Sequence, residues 1–278
     1  MKFVTYALHG LQSPGVVSLD GKRVIPLTEC GLQFKNLEEL ARFATAEQLQ
    51  SIKCRLETDC ESGIPMEDVT LLPAIPAPTQ EILIMENNFI PDGAPLPTYF
   101  YKKATYANCN GGRIPTYPGH VTQLDYQAEL CAVVGGDVYQ ALPEEAHRHI
   151  FGYLVINNVI ARNLTLRHRR PYIATSLDGF LPMSSYLVTP DEITEPIRIR
   201  CWVNGQLRQD ETADKAKFSF AYAIADLSRI SVLRGGSIIS LGTPFGSGMD
   251  QTPPVYLQSG DTVTCEAAGI GTITNIVE

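Results

Sequence analysis

The sequence lacks any excess of basic charge. Its 278 residues carry a formal net charge of −8 at pH 7, and the pI is near 5.2. Because binding to nucleic acids and to anionic membranes depends on basic surfaces, this composition argues against both kinds of partner. The chain also lacks an apolar run long enough to span a bilayer, and its first residues lack the apolar segment of a secretory signal.

Cysteine is scarce and unpaired in its spacing. The seven cysteines lie at positions 30, 54, 60, 109, 131, 201 and 265, and none forms a Cys-x-x-Cys pair. This pattern argues against a disulfide framework or a structural zinc site, so we expect a reducing, cytoplasmic location. We expect the thiols to be buried as small hydrophobic groups.

A proline-bearing stretch divides the chain. Residues 72–78 contain three prolines and predict an extended connector. We therefore expect a small N-terminal α/β domain at residues 1–75 and a main domain at residues 76–278.

The N-terminal part combines strand patterns with one helical pattern. Residues 2–7, 15–19 and 23–27 predict short strands, and Asp20-Gly21 predicts a hairpin turn between the last two. Apolar residues recur at helical spacing over residues 36–52, with Asn36 as the expected N-cap.

The main part is rich in strand patterns. Strands are predicted at residues 82–85, 129–134, 197–203, 237–241 and 262–266. Helices are predicted at residues 143–150 and 220–232. Many short strands with few helices predict a mixed, β-rich α+β fold and not a doubly wound sheet.

Two segments carry the most informative pattern: LDYQAEL at residues 124–130 and INNVIAR at residues 156–162. They resemble the metal-binding motifs of the fumarylacetoacetate hydrolase family, Tyr-Glu-x-Glu and Asn-Asp-x-x-Ala-Arg. In that family the two glutamates and the aspartate hold Mg²⁺ or Mn²⁺. The matching residues are Gln127, Glu129 and Asn158, so two of the three carboxylates are amides.

Further motifs follow in the family's order. They are VNG at residues 203–205 with Gln209, LGTPFGSG at 241–248, LQSGD at 257–261 and GIGTITN at 269–275. The resemblance implies a β-sandwich roll, a homodimer, and descent from enzymes that act on β-diketo and 2-oxo acids through a metal-bound enolate.

Other family residues are replaced or kept. The family's water-activating His and Glu correspond to Asp92 and Pro95, and a family lysine corresponds to Thr175. The family residues that survive are Lys102, Asp125, Arg162, Asp178 and Thr243.

The replacements predict a changed mechanism. A shell with one carboxylate is a poor site for Mg²⁺, so we expect no metal cofactor, or at most a weakly held Mg²⁺ or Ca²⁺ ion. Without a Lewis acid and a water activator, the family's hydrolysis is not expected.

Asp125, Glu129 and Lys102 are the predicted acid–base residues. Placed four apart on one strand, Asp125 and Glu129 would face the same way and could share a proton. Alternatively, Asp125 caps the strand and Glu129 only hydrogen-bonds Gln127. Lys102 matches a family position near the active site, which favours a functional role. A surface lysine lying over aromatic residues is the competing interpretation.

A second set of residues is predicted to bind the substrate: Gln127, Asn158, Arg162, Thr243, Asp178 and Arg169. Arg169 belongs to a dense basic cluster at residues 167–170, which suits an anionic substrate group. A solvated loop is the competing interpretation of that cluster.

The first functional hypothesis is an enzyme performing metal-independent isomerisation, cyclisation, decarboxylation or dehydration. Its substrate would be a small β-dicarbonyl, enol or 2-oxo acid, and biosynthesis of a specialised metabolite is one setting. The second hypothesis is a non-catalytic small-molecule-binding or structural descendant. The third is a metal-dependent C–C hydrolase or decarboxylase with a weak ion site.

Overall fold

The computed structural model describes residues 1–58, 62–91, 93, 95–168 and 171–278. The strands in these residues are β1 (Lys2–Leu8), β2 (Leu11–Val17), β3 (Arg23–Pro26), β4 (Ile64–Pro65), β5 (Thr70–Leu71), β6 (Ile82–Glu86), β7 (Thr98–Tyr101), β8 (Arg113–Ile114), β9 (Leu124–Asp125), β10 (Ala128–Val134), β11 (Ile150–Asn157), β12 (Ile160–Ala161), β13 (Tyr186–Val188), β14 (Arg198–Val203), β15 (Gln206–Thr212), β16 (Ile238–Ser240), β17 (Thr262–Ala267) and β18 (Gly271–Val277). The helices are α1 (Leu37–Phe43), α2 (Ala46–Thr58), α3 (Arg162–His168), α4 (Pro171–Thr175) and α5 (Phe220–Ser228). None of these described helices has the length and apolar character needed to cross a membrane.

Two large sheets dominate the described part of the chain. The first follows the order β4-β3-β2-β1-β13-β11-β10-β16-β6-β7, with β5 added beside β1. The second follows the order β15-β14-β17-β18-β8. Most neighbours are antiparallel, while β16–β6 and β18–β8 are parallel pairs. The predicted mixed, β-rich α+β fold is confirmed.

Strand β10 lies at the centre and packs on both faces. Leu130 and Val134 join the core between the two sheets, whereas Cys131 and Val133 join the core that includes α1. Successive side chains of a strand point to opposite faces. This double burial explains why β10 has a continuous apolar sequence and not an alternating one.

The N-terminal residues are part of the large sheet. Strand β1 pairs with β13, with Phe3 opposite Leu187, and the Phe3 ring lies 5.7 Å from the Phe151 ring. The stretch from Leu72 to Pro78 has irregular backbone, as expected for a connector. The division into residues 1–75 and 76–278 stays a prediction.

The prediction of a single helix over residues 36–52 is wrong, because two helices, α1 and α2, cover this part of the chain. Asn36 does cap α1, where its side chain accepts from the Glu39 N–H at 2.8 Å. Ala44 is extended, and α2 begins after a reciprocal pair of hydrogen bonds between Thr45 and Gln48. This capping box restarts the helix, so an apolar pattern that looks continuous spans two helices.

The two later helix predictions need correction as well. Within residues 143–150, only Ala146–His149 is helical, as a 3₁₀ turn, because Ile150 already pairs with Val134 in the sheet. The helix predicted over residues 220–232 ends at Ser228.

Candidate active site

A cavity of about 610 Å³ opens beside the start of β10. Its polar lining includes Gln127, Glu129, Asn158, Arg162, Thr165 and Thr243. Its apolar lining includes Ile84, Met85, Phe89, Phe100, Phe245 and Met249. A concave site with an apolar wall and a few convergent polar groups is typical of a small-molecule site.

Glu129 is the buried carboxylate of this cavity. It lies on the same face of β10 as Cys131 and is only 1% exposed. The Asn158 amide nitrogen donates to its Oε1 at 2.9 Å, and the Ser240 hydroxyl donates to its Oε2 at 2.5 Å. Ser240 Oγ itself accepts from the Gly242 N–H at 2.9 Å, which leaves the hydroxyl proton for Glu129.

Burial governs the protonation of Glu129. Loss of hydration raises the pKa of Glu129 to about 7, although the hydrogen bonds from Ser240 and Asn158 and the charge of Lys102 act in the opposite direction. A carboxyl group that titrates near neutral pH can both accept and donate a proton under physiological conditions.

Lys102 lies behind Glu129, outside the cavity lining. Its side chain is 3% exposed, and its ammonium donates to the carbonyl oxygen of Thr175 at the end of α4. Burial lowers the pKa of Lys102 to about 7, and the Glu129 carboxylate opposes this effect. The charge of Lys102 therefore favours the ionised form of Glu129.

Two polar atoms at the cavity have no hydrogen-bond partner among the described residues. They are Asn158 Oδ1 and Thr165 Oγ1, and both atoms are buried. Asn158 as a whole is 1% exposed. A buried polar atom without a partner is costly, so each of these two atoms needs a hydrogen bond that a water or a bound molecule can supply.

Asp125 and Glu129 do not share a strand, contrary to the prediction from their spacing. Asp125 ends β9 and Glu129 lies in β10, and the chain leaves the regular ladder between them. The alternation of side chains along a strand therefore does not predict whether the Asp125 and Glu129 side chains point the same way. Asp125 is also not part of the described cavity lining.

Both oxygens of Asp125 are occupied. Oδ1 accepts from the N–H groups of Tyr126 and Gly248, and Oδ2 accepts from Arg162 Nε at 2.9 Å and from the Met249 N–H. The carboxylate is fully buried. It therefore fixes the Arg162 guanidinium at the cavity and ties the segment around residue 248 to β9.

Thr243 also lies in the cavity wall. Its hydroxyl donates to the Ala128 carbonyl at 3.2 Å and accepts from the Gln209 amide at 2.8 Å. Gln209 in turn accepts from the Ala128 N–H. The hydroxyl of Thr243 is thus used mainly to fix the wall.

One predicted substrate-binding residue, Asp178, is not part of the described cavity lining. Asp178 is exposed, and its described contact is a hydrogen bond from Tyr117 to its backbone oxygen. Arg169 lies outside the described residues, as does Asp92. Arg167, in the same basic cluster, is exposed.

Ser240 and Thr165 are site residues that the sequence did not indicate. Ser240 lies in a short buried strand and Thr165 in a helix, where both residue types are common and carry no motif. The available signal for Ser240 was its place one residue before the LGTPFGSG segment.

Comparison with known proteins identifies the family. The sequence profile described as fumarylacetoacetate (FAA) hydrolase C-terminal matches residues 78–278. The chain belongs to the fumarylacetoacetate hydrolase family. It is 30% identical to oxaloacetate tautomerase YisK of Bacillus subtilis (strain 168) over 99% of both chains. It also resembles the solved fumarylacetoacetate hydrolase of Exiguobacterium antarcticum (TM-score 0.86, 27% identity, 100% and 99% coverage).

A further solved relative holds a metal. The fumarylpyruvate hydrolase of Pseudomonas aeruginosa was solved with Mn²⁺ and pyruvate; its TM-score is 0.61 at 24% identity, covering 75% of this chain and 91% of that one. This likeness shows the fold alone.

The residues of this chain do not fit such an ion. Among the described residues, no three His, Cys, Asp or Glu side chains are grouped to hold a metal. Both oxygens of Glu129 already accept hydrogen bonds, and the nearby Lys102 ammonium disfavours a second cation. Gln127 and Asn158 contribute no charge.

The formal charge of the altered site nevertheless equals that of the family arrangement with its ion. Three carboxylates and one divalent ion, the family arrangement, sum to −1. Glu129 alone, with Gln127 and Asn158 as neutral amides, also gives −1. Without an ion, the site with two amides therefore has the same formal charge as the family arrangement, whereas three unneutralised buried carboxylates would be strongly unfavourable.

Proposed function

We propose that this protein is an isomerase that shifts a proton on a β-dicarbonyl, enol or 2-oxo acid without a divalent metal ion. The observation that carries the proposal is the buried Glu129 carboxylate, which two donors hold at the cavity wall. General acid–base catalysis needs such a group within reach of the reacting atom. The name of the Bacillus subtilis relative, an oxaloacetate tautomerase, supports the same reaction class.

In the proposed reaction, Glu129 accepts a proton from the carbon next to a carbonyl group. The electron pair of that C–H bond forms a C=C bond, and the carbonyl oxygen takes the negative charge of the enolate. The Gln127 amide and the Arg162 guanidinium line the same cavity and stabilise that oxygen. Protonated Glu129 then returns the proton to another atom of the substrate, so the product is an isomer.

The other conserved family residues have supporting roles in this proposal. Lys102 favours the ionised form of Glu129 from behind, and Asp125 orients Arg162. Both are therefore positioning residues. No role is assigned to Asp178, which is exposed away from the cavity.

Cyclisation and dehydration can begin with the same C–H abstraction. In decarboxylation the enolate forms instead from the electron pair of the C–C bond that releases CO₂, and protonated Glu129 then gives its proton to carbon, so these reactions stay within the proposal. A non-catalytic descendant has no use for a buried carboxylate with a raised pKa beside unpartnered polar atoms. These features favour catalysis over binding alone.

The test follows exchange of α-protons for deuterium in D₂O by NMR, using a panel of enolisable β-diketones and 2-oxo acids. We expect the protein to accelerate exchange in at least one substrate, and Glu129→Gln to lower the rate by about 100-fold or more because a positioned base is lost. Glu57→Gln, on an exposed part of α2, serves as the matched control. An unchanged rate in Glu129→Gln would overturn the proposal.

The metal-free part is tested separately in the same assay. We expect the exchange rate to be insensitive to EDTA and to added Mn²⁺, Mg²⁺ or Ca²⁺. Activity that EDTA abolishes and Mn²⁺ restores would instead support an ion held at the amide-containing site.

We also propose that the protein is a homodimer, as the family resemblance implies. Light scattering after size-exclusion chromatography then gives twice the chain mass of 30.5 kDa. A mass of a single chain would contradict this assembly.

A further inference from the structure

The charges around the cavity are unusual for a protein whose relatives act on acidic compounds. The described lining contains three carboxylates: Glu86, Glu129 and Asp250. Its single described cation, Arg162, is paired with the buried Asp125. Among the described residues, a ligand with two carboxylates therefore meets net repulsion.

Unpartnered atoms specify the polar end of the ligand. Asn158 Oδ1 is an acceptor that needs a donor, and its assignment is fixed because the amide nitrogen faces the accepting carboxylate of Glu129. Thr165 Oγ1 can donate or accept. A ligand that supplies a hydroxyl proton to Asn158 satisfies the buried acceptor, whereas a carboxylate or an ether cannot.

The mouth of the cavity specifies the other end of the ligand. Phe245, Met249 and Ile90 line it and are 76%, 48% and 51% exposed, respectively. Phe100 continues the apolar surface inwards. Exposed apolar side chains grouped at one cavity mouth gain most from an apolar substituent that covers them.

We infer that the cavity binds an uncharged, enolised β-dicarbonyl compound with an apolar or aromatic substituent, in preference to a dicarboxylic 2-oxo acid. This inference rests on the proposed function, since it names the substrate class of the same site. The enol hydroxyl donates to Asn158 Oδ1, the adjacent carbonyl oxygen accepts from Arg162 or Gln127, and the substituent lies against Phe245 and Met249.

Binding measured by calorimetry tests the inference without requiring turnover. The probes are benzoylacetone, which is largely enolic, its O-methyl enol ether, which has the same body but no hydroxyl donor, and oxaloacetate. We expect the ether to bind about tenfold or more weakly than benzoylacetone, because it leaves a buried acceptor without its donor. We expect oxaloacetate to bind about tenfold or more weakly as well, because its two carboxylates are repelled by the acidic lining.

Variants test which protein atom accepts the hydrogen bond from the enol hydroxyl. In Asn158→Leu the advantage of benzoylacetone over its ether should fall to about onefold, because no acceptor remains to distinguish them. Thr165→Val, which removes only a hydroxyl and keeps the side-chain shape, guards against misfolding of the first variant and should weaken benzoylacetone severalfold. Gln50→Leu on the exposed face of α2 is the control.

Each outcome bears on the inference. Oxaloacetate binding as tightly as benzoylacetone, equal binding of the ether, or no saturable binding of any probe would overturn it. If the ranking holds while no proton exchange is catalysed, the inference stands and the proposed function fails. If exchange depends on Glu129 but oxaloacetate binds best, the proposed function stands and the inference fails.

Discussion

Ser240 partly offsets the effect of burial on the proton affinity of Glu129. Because Ser240 Oγ accepts from Gly242, its proton is directed to the carboxylate, and this hydrogen bond lowers the pKa of Glu129. In Ser240→Ala the pKa should rise above its present value of about 7. If ionised Glu129 is the base, the acidic limb of the rate profile moves to higher pH by about one unit.

A pH–rate profile of proton exchange checks this shift. Ser237→Ala is the matched control, since Ser237 is also buried but its hydroxyl has no hydrogen-bond partner among the described residues. Coincident profiles for Ser240→Ala and the unmodified protein would show that the serine does not act on the base.

The proposed metal independence rests on the amides at positions 127 and 158, which supply no charge to hold a divalent ion. Gln127→Glu combined with Asn158→Asp restores the family's carboxylates around Glu129. We expect millimolar Mn²⁺ to raise the melting temperature of the double variant by about 5 °C or more, and that of the unmodified protein not at all. Adding Glu129→Gln to the double variant should remove the gain. A similar shift in the unmodified protein would contradict the proposed metal independence.

Much of the cavity could be predicted from residue patterns. The two motifs contain Gln127, Glu129, Asn158 and Arg162, and these four residues line one cavity. Their catalytic and binding roles stay a prediction. The motifs did not predict that Asp125 lies outside the described cavity lining, because the spacing of residues along a strand does not reveal a break between two strands. The geometry alone shows that Asp125 has no unoccupied oxygen.

At the scale of elements, the segment from residue 241 to 250 forms one side of the cavity and depends on glycine. Gly246 has φ +113°, and an added Cβ would lie 2.0 Å from the Arg208 carbonyl oxygen. Its N–H donates to Asp250. An alanine there must displace backbone, which also disturbs the neighbouring Phe245.

We therefore expect Gly246→Ala to lower the free energy of unfolding by about 3 kcal/mol or more, through both crowding and an unfavourable φ. Gly260→Ala is the control, because Gly260 also has a positive φ, +91°, but an added Cβ meets nothing within 4 Å. Urea unfolding measures the free energy of unfolding that each variant loses. Equal losses in the two variants would mean that crowding at Gly246 costs no stability.

Helices were harder to predict than strands because of local capping. The cap at Asn36 is confirmed, since asparagine before acidic first-turn residues is a strong start signal. The stop at Ala44 was missed because the apolar pattern continues through it, and the capping box of Thr45 and Gln48 was overlooked. Sheet pairing of Ile150 with Val134 likewise ended the segment predicted as a helix at residues 143–150.

At the scale of the whole molecule, the N-terminal residues share a sheet and a core with the rest. Phe3 is fully buried in the core that also contains Leu154 and Leu187. Trp202 lies in β14 of the other sheet and reports on the main part of the chain. We expect Phe3→Ala to lower the free energy of unfolding by about 3–5 kcal/mol. The unfolding transition followed by Trp202 fluorescence should therefore have a lower midpoint.

Unfolding followed by fluorescence and by circular dichroism measures this coupling. Leu11→Ala, at a 75% exposed position on β2, is the control and should change little. A Trp202 transition that is unaffected by Phe3→Ala would show that residues 1–75 unfold as an independent domain.

The amides that replace two carboxylates also bear on product release. Enolised β-dicarbonyl compounds are themselves bidentate chelators, so a divalent ion in the cavity would bind such a product through both of its oxygens. Under the proposed metal-free mechanism, Gln127 and Asn158 would leave a product held by hydrogen bonds alone, which break more readily than a chelate ring. Such a cavity would release a compound that stays chelated to a metal-loaded relative, and its activity would not depend on the supply of manganese.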